Sequence, residues 1–154
     1  MTFQITGLDP APFAHLHALS DEQLASGGMS RVRVEQKNVA PCRVSLDDAE
    51  IGEAVILLNF THQAAYTPYH QQGPIFIREV SERVVVRDAI PPALARRTLS
   101  VRGFDAGHMM IEAELTEGAE ANALIERFFA NPAVAYIHAH YARRGCFAAL
   151  IERA

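Results

Sequence analysis

The residues best suited by type and spacing to chemistry lie in Tyr136-Ile137-His138-Ala139-His140-Tyr141, followed by Ala142-Arg143-Arg144-Gly145-Cys146. A strand sends alternate side chains to one face. At a rise of roughly 3.3 Å per residue, His138 and His140 then stand about 7 Å apart on the same side. A neutral imidazole serves as a general base near neutral pH. A His-x-His strand also holds a transition metal when a third ligand arrives from elsewhere. Two guanidiniums on a tight turn hold a carboxylate or phosphate, and Cys146 adds a thiol. Histidines hydrogen-bonded within the fold and solvated arginines account for the same pattern without any site. The chain has no HExxH and no CxxC, so no specific zinc signature is present.

The register of a C-terminal hairpin decides which of these groups meet. A three-residue loop, Arg143-Arg144-Gly145, puts Gly145 where the left-handed conformation is required. It predicts the pairs Ala142–Cys146, Tyr141–Phe147, Ala139–Ala149 and Ile137–Ile151. One face is then apolar, and the other carries His138, His140 and Cys146. A one-residue slip mixes the two sets.

A second group of candidates lies in residues 61–73, which contain two His, two Tyr and three Gln and almost no charge. A connection this long inside a compact domain either covers a site or is stapled down by its own aromatics. His62 and Tyr69 are its leading candidates. Arg102 and Asp105 flank Gly103-Phe104 and are read as an ion pair that orients a ligand or supports the structure. Arg43 precedes a capped turn at 45–48 and either docks on it or projects toward a cleft. The acidic residues Asp47, Asp48, Glu50 and Glu53 lack the order of a calcium loop. Phosphate-binding glycine motifs and GxSxG are absent, which removes nucleotide folds and the commonest esterase signature.

The elements that must position these residues follow from periodicity. Strands are predicted over 3–7, 29–36, 54–60, 74–79, 83–87, 99–104, 109–115, 133–142 and 146–152. The unbroken apolar run at 54–60 reads as a central strand buried on both faces. Asp9-Pro10 opens a helix, Ser20 and Gln23 form a capping box, and Gly27-Gly28 ends the second helix. Pro91–Thr98 is a short helix. The longest helix runs over 119–130 with Ala121, Leu124, Ile125, Phe128 and Phe129 on one face, ending at Asn131-Pro132.

With 154 residues, 49% of them apolar, and no linker or repeat, one domain over 1–154 suffices. Strands dominate, so the expected class is α+β. The architecture is a mostly antiparallel sheet, with a few short helices and one longer helix packed on it, and a C-terminal β-hairpin. A net charge of −4 argues against nucleic acid as a partner. No apolar run reaches bilayer length, and no signal peptide is visible. The two distant cysteines read as free thiols in the cytoplasm. The sequence leaves any cofactor unknown.

The chain also resembles an uncharacterised bacterial family known as domain of unknown function 1203. The resemblance runs through Pro41-Cys42-Arg43, Asp48-Ala49 with Gly52-Glu53, His62-Gln63, Pro68-Tyr69 and Gly73-Pro74-Ile75-Phe76. It continues in Arg102 with Asp105, Met109-Met110, Ala135 to His140 and Ala142 to Ala148. It implies a small stand-alone domain with no assigned activity and no catalytic residues to transfer.

Three functional readings stay open. The leading one is a small anionic or polar ligand bound between the terminal hairpin and the 61–73 segment, by Arg43, His62, Tyr69, Arg102, Asp105, His138, His140, Arg144 and Cys146. The second is a non-enzymatic interaction domain that forms a homodimer over the His/Tyr face. The third is metal binding through His138 and His140. Whether catalysis follows binding is open.

Overall fold

A computed structural model describes residues 2–154. Nine strands form in chain order: β1 (Phe3–Thr6), β2 (Ser30–Arg33), β3 (Ala54–Gln63), β4 (Gln71–Ile77), β5 (Val85–Arg87), β6 (Thr98–Phe104), β7 (Met110–Glu117), β8 (Tyr136–Tyr141) and β9 (Phe147–Arg153). The helices are α1 (Asp21–Ser26), α2 (Pro92–Ala95) and α3 (Ala121–Ala130), with 3-10 segments at Ala11–Ala18 and Gly118–Glu120. The class is α+β, as the alternation predicts. The strands form two antiparallel sheets rather than one: a six-stranded sheet ordered β5-β1-β9-β8-β6-β7 and a three-stranded sheet ordered β2-β3-β4.

Local chemistry explains the helix ends. Ser20 Oγ accepts from the Gln23 amide and Gln23 Oε1 accepts from the Ser20 amide, the capping box read from the sequence. The Asp9-Pro10 start yields a 3-10 segment over Ala11–Ala18 instead of an α-helix, with Asp9 Oδ1 accepting from Ala11 N. The expected helical turn at 45–48 does not form. Leu46 takes a positive φ of 54° there, and its amide donates to Cys42 O. Helix α3 buries Ala121, Leu124, Ile125, Phe128 and Phe129, the stripe that its spacing predicts.

The larger sheet has two differently used faces. Leu99, Val101, Ile137, Ala139, Ala149 and Ile151 face α2 and α3 in the main core. The opposite face carries Ser100, Arg102, Phe104, Tyr136, His138 and His140, as cross-strand pairing requires. The smaller sheet is covered by Phe13, Leu16 and Leu24, which pack with Ile56, Ile75 and Ile77. Strand β3 is central in that sheet and is buried on both faces only at its start. The neighbours Val55 and Ile56, on opposite faces, are fully buried, Val55 against Val34, Ala40 and Ala49, whereas Leu57 and Leu58 are only partly buried and Asn59 is exposed. Among the described residues, no helix is long and apolar enough to cross a membrane.

Candidate functional site

The sequence predicts that His138 and His140 share a face of β8. The structure adds His62 to them from the other sheet. The imidazole centroids lie 4.9 Å (His62–His140), 6.1 Å (His62–His138) and 6.4 Å (His138–His140) apart. His138 and His140 are only 5% and 1% exposed. The two imidazoles on this face of β8 are therefore interior.

Three β-bulges build the cluster. In β3 the register slips between Thr61 and Gln63, leaving His62 as the extra residue. Such an insertion re-aims a side chain and sharpens the local twist. A second slip between Gly103 and Phe104 makes Ile111 the unpaired residue of β7, and Phe104 pairs with Met110. The third occurs between Ala139 and His140, where His140 pairs with Phe147 instead of Ala148. That third slip overturns part of the expected hairpin. Ile137–Ile151 and Ala139–Ala149 pair as predicted. Beyond them the slip brings Phe147, not Cys146, in among the imidazoles. The Phe147 ring stacks on His62 at 5.1 Å and 7°, and meets His138 edge-on at 5.1 Å. The physical reason is burial: a phenyl ring fills this interior space with far more apolar area than a thiol does. Gly145 does take the left-handed conformation, with φ 81°, and its amide closes the turn on Tyr141 O at 2.7 Å.

The remaining candidates separate. Cys146 is half-buried, and its Sγ lies 3.9 Å from Arg144 O. Arg144 is exposed on the turn. Arg43 is 3% exposed and structural. Its Nε donates to Phe147 O at 2.8 Å, its Nη1 donates to Pro41 O at 2.5 Å, and its guanidinium lies 5.0 Å over the Tyr141 ring. Asp105 does not pair with Arg102. Its Oδ1 accepts from Gly107 N and Met109 N and shapes the turn between β6 and β7. Tyr69 packs edge-on against Phe104 at 6.1 Å, and Phe104 in turn stacks on Tyr136. The predicted loop at 61–73 is shortened to residues 64–70, since β3 runs to Gln63 and β4 begins at Gln71.

Arg102 does join the imidazoles. Its Nη1 donates to Gln71 Oε1 at 3.2 Å and its Nε to Ser100 Oγ at 3.2 Å. Among the described residues no carboxylate lies within salt-bridge reach of it. Burial alone pulls its pKa down, the signature of a cation without a counter-charge. Gln71 Oε1 also meets His62 Nε2 at 3.1 Å. Because that oxygen accepts from the guanidinium, Gln71's amide orientation is fixed and His62 Nε2 must carry the hydrogen. His140 Nδ1 meets Gly145 O at 2.9 Å; a carbonyl only accepts, so Nδ1 carries the hydrogen there too. His62 Nδ1 and His140 Nε2 are therefore lone-pair acceptors. His62 Nδ1 and His138 Nδ1 are buried with no partner.

Burial sets the charge state. His138 and His140 are both pushed down to about 3, by desolvation first and then by the field of Arg102 and the neighbouring imidazoles. His62 is lowered by burial, against the hydrogen bond to Gln71. All three are neutral at pH 7. Tyr136 lies at the rim, its hydroxyl accepting from Gln63 Nε2 at 2.8 Å and meeting His108 Nδ1 at 2.8 Å. Sequence reasoning missed Gln71, Phe147 and Gln63 as parts of the site. Tyr136 alone carried a signal, its two-residue spacing from His138. Among the described residues no group of three or more His, Cys, Asp or Glu is placed to hold a metal ion. Two surface recesses, of about 180 Å³ beside Lys37, Asp47 and Arg96 and about 720 Å³ beside Asp9, Val80 and Arg83, border other parts of the chain.

The model of the family described as protein of unknown function (DUF1203) matches residues 39–153. The chain belongs to this family. Every residue of the DUF1203 cluster just described, from His62 to Phe147, falls within the matched span. No curated protein and no solved structure matches the chain.

Proposed function

We propose that this DUF1203 chain binds a small organic anion, a carboxylate held by Arg102 beside the neutral imidazoles of His62, His138 and His140. The observation that carries the reading is the half-buried Arg102 guanidinium, which has only the neutral acceptors Gln71 Oε1 and Ser100 Oγ. A partly desolvated cation without a counter-charge attracts an anion more strongly than a solvated one does. A guanidinium fork also matches a carboxylate in two parallel hydrogen bonds. The surrounding rings of Phe104, Tyr136 and Phe147 favour a ligand with a short apolar body.

The test is thermal unfolding with increasing sodium propionate, against sodium chloride at equal ionic strength. A ligand that binds only the folded chain stabilises it by RT ln(1 + [L]/Kd). Propionate is expected to raise the melting temperature beyond chloride in the native chain and not in Arg102→Met. Equal behaviour of the two salts, or an unchanged propionate effect in Arg102→Met, overturns the proposal.

A further inference from the structure

We infer that the outer edge of β7 is a docking site for an extended segment of another protein, one that alternates apolar and basic residues and adds to the large sheet as a further strand.

Strand β7 ends the large sheet, and the backbone bonds fix which of its groups are free. The carbonyls of Thr98 and Phe104 in β6 accept from Ala142 N and Ala135 N on the β8 side. Backbone groups alternate sides along an antiparallel strand. Leu99, Val101 and Gly103 therefore bond to β7, where they stand opposite Thr116, Glu114 and Glu112. The N–H and C=O groups of Ala113 and Leu115 then point outward, and no backbone group among the described residues meets them. The other edges are shorter or covered. Strand β5 has three residues and β2 has four, while β4 is met on its outer side by Cys42 and Arg43. Strand β7 has eight. A row of unpaired backbone groups on an open edge is a template for one more strand.

The side chains define the partner. Ala113 and Leu115 share the face of Arg102 and Ser100, their cross-strand neighbours. Ile111, Ala113 and Leu115 are all exposed, Leu115 by 64%. In an added strand, the residues that bond to β7 stand opposite these apolar side chains, and burial favours apolar residues there. The intervening residues stand opposite Glu112 and Glu114 on the other face. From Gly103 to Glu126 the chain carries six carboxylates and no Lys or Arg. Glu114 pairs with Arg127, whereas Glu112 and Glu117 accept from the neutral Asn131 and Thr98 side chains. Opposite charges across a strand pair attract, so the intervening residues are basic. A second copy of this chain fits poorly, because pairing β7 with itself sets Glu against Glu, and like charges directly opposite destabilise the pair.

The experiment titrates the isotope-labelled full chain with a blocked pentapeptide of alternating valine and lysine, and with the same peptide carrying glutamate in place of lysine. At low salt the lysine peptide is expected to bind about tenfold tighter, from two cross-strand charge pairs. It is expected to shift the amide resonances of Ala113 and Leu115 most. Ala113→Pro removes one outward N–H and no bond to β6, a change that an edge strand tolerates. It is expected to weaken binding of the lysine peptide about tenfold. Equal binding of the two peptides, binding of neither, or shifts centred away from β7 overturns the inference, as does undiminished binding by folded Ala113→Pro. A dimer of the native chain joined through β7 overturns it too, since the edge would then belong to a second copy. Should Ala113→Pro fail to fold, the lysine-to-glutamate ratio and the shifted amides of the native chain decide.

Discussion

Lowering the pH from 7 to 5 is expected to destabilise the chain steeply, because two imidazoles that titrate near 6.5 in an unfolded chain are held at about 3 in the fold. The sign follows from proton counting. Between those pH values the unfolded chain binds protons that the folded chain refuses, so stability is fully present above pH 6.5 and declines as pH falls toward 3. For each imidazole the loss between pH 7 and pH 5 is about 2 kcal/mol, and for the pair about 4 kcal/mol, a large share of the roughly 5–15 kcal/mol of a typical domain. Near pH 5 unfolding takes up nearly two protons, a slope of about 2.6 kcal/mol per pH unit. Asp47 and Glu53, lowered by Arg96 and Arg78, add loss of the same sign, but in the carboxylate range below that window. Urea unfolding followed by far-ultraviolet circular dichroism at closely spaced pH values measures the slope. His138→Gln and His140→Gln should each remove about one proton from it. A slope below one proton, or one that the double variant leaves unchanged, refutes the reasoning that burial holds these rings neutral.

Asp48→Asn should destabilise by about 3 kcal/mol in the same denaturation assay, since the buried carboxylate takes two hydrogen bonds from Arg97 at 2.6 and 3.0 Å and one from Arg96. Gly118→Ala should cost about 3 kcal/mol or more, because its Cβ would lie 1.9 Å from Leu94 O. Gly73→Ala, with open space around it, should stay within about 0.5 kcal/mol of the parent on the same measurement. Phe147→Ala should cost about 3–5 kcal/mol and shift the imidazole resonances of His62 and His138, whose faces and edges it covers.

The fold class was legible because its signals are local. Each of the nine strands read from the sequence overlaps one that forms, and the stripe from Ala121 to Phe129 marked α3. Ser20 and Gln23 announced the cap that forms. The division into two sheets was not legible, since strand order is a long-range property that no single segment encodes. The site was half-legible. His138 and His140 follow from a period of two. Their meeting with His62 depends on how one sheet lies over another, and on a bulge at Thr61–Gln63 that the sequence does not mark. The hairpin failed at one residue for the same reason. The pairing logic held through Ala139–Ala149, and then an inserted residue exchanged thiol for phenyl. Arg102 was found by type but paired with the wrong neighbour, because Asp105 satisfies backbone amides in its own turn.

The Gln71 side chain has one more consequence. It stands on β4 of the small sheet and takes hydrogens from Arg102 of the large sheet and from His62 beside it. The seam between the sheets is thus fastened at this point through a single amide oxygen. Any motion that parts the sheets frees the tautomer of His62 at the same moment, while His140 stays held by Gly145 within its own hairpin. A guest that bridges Arg102 and His62 acts as a second clasp there. Amide hydrogens along β3 and β4 should exchange more slowly once it is seated, far from any atom that it touches.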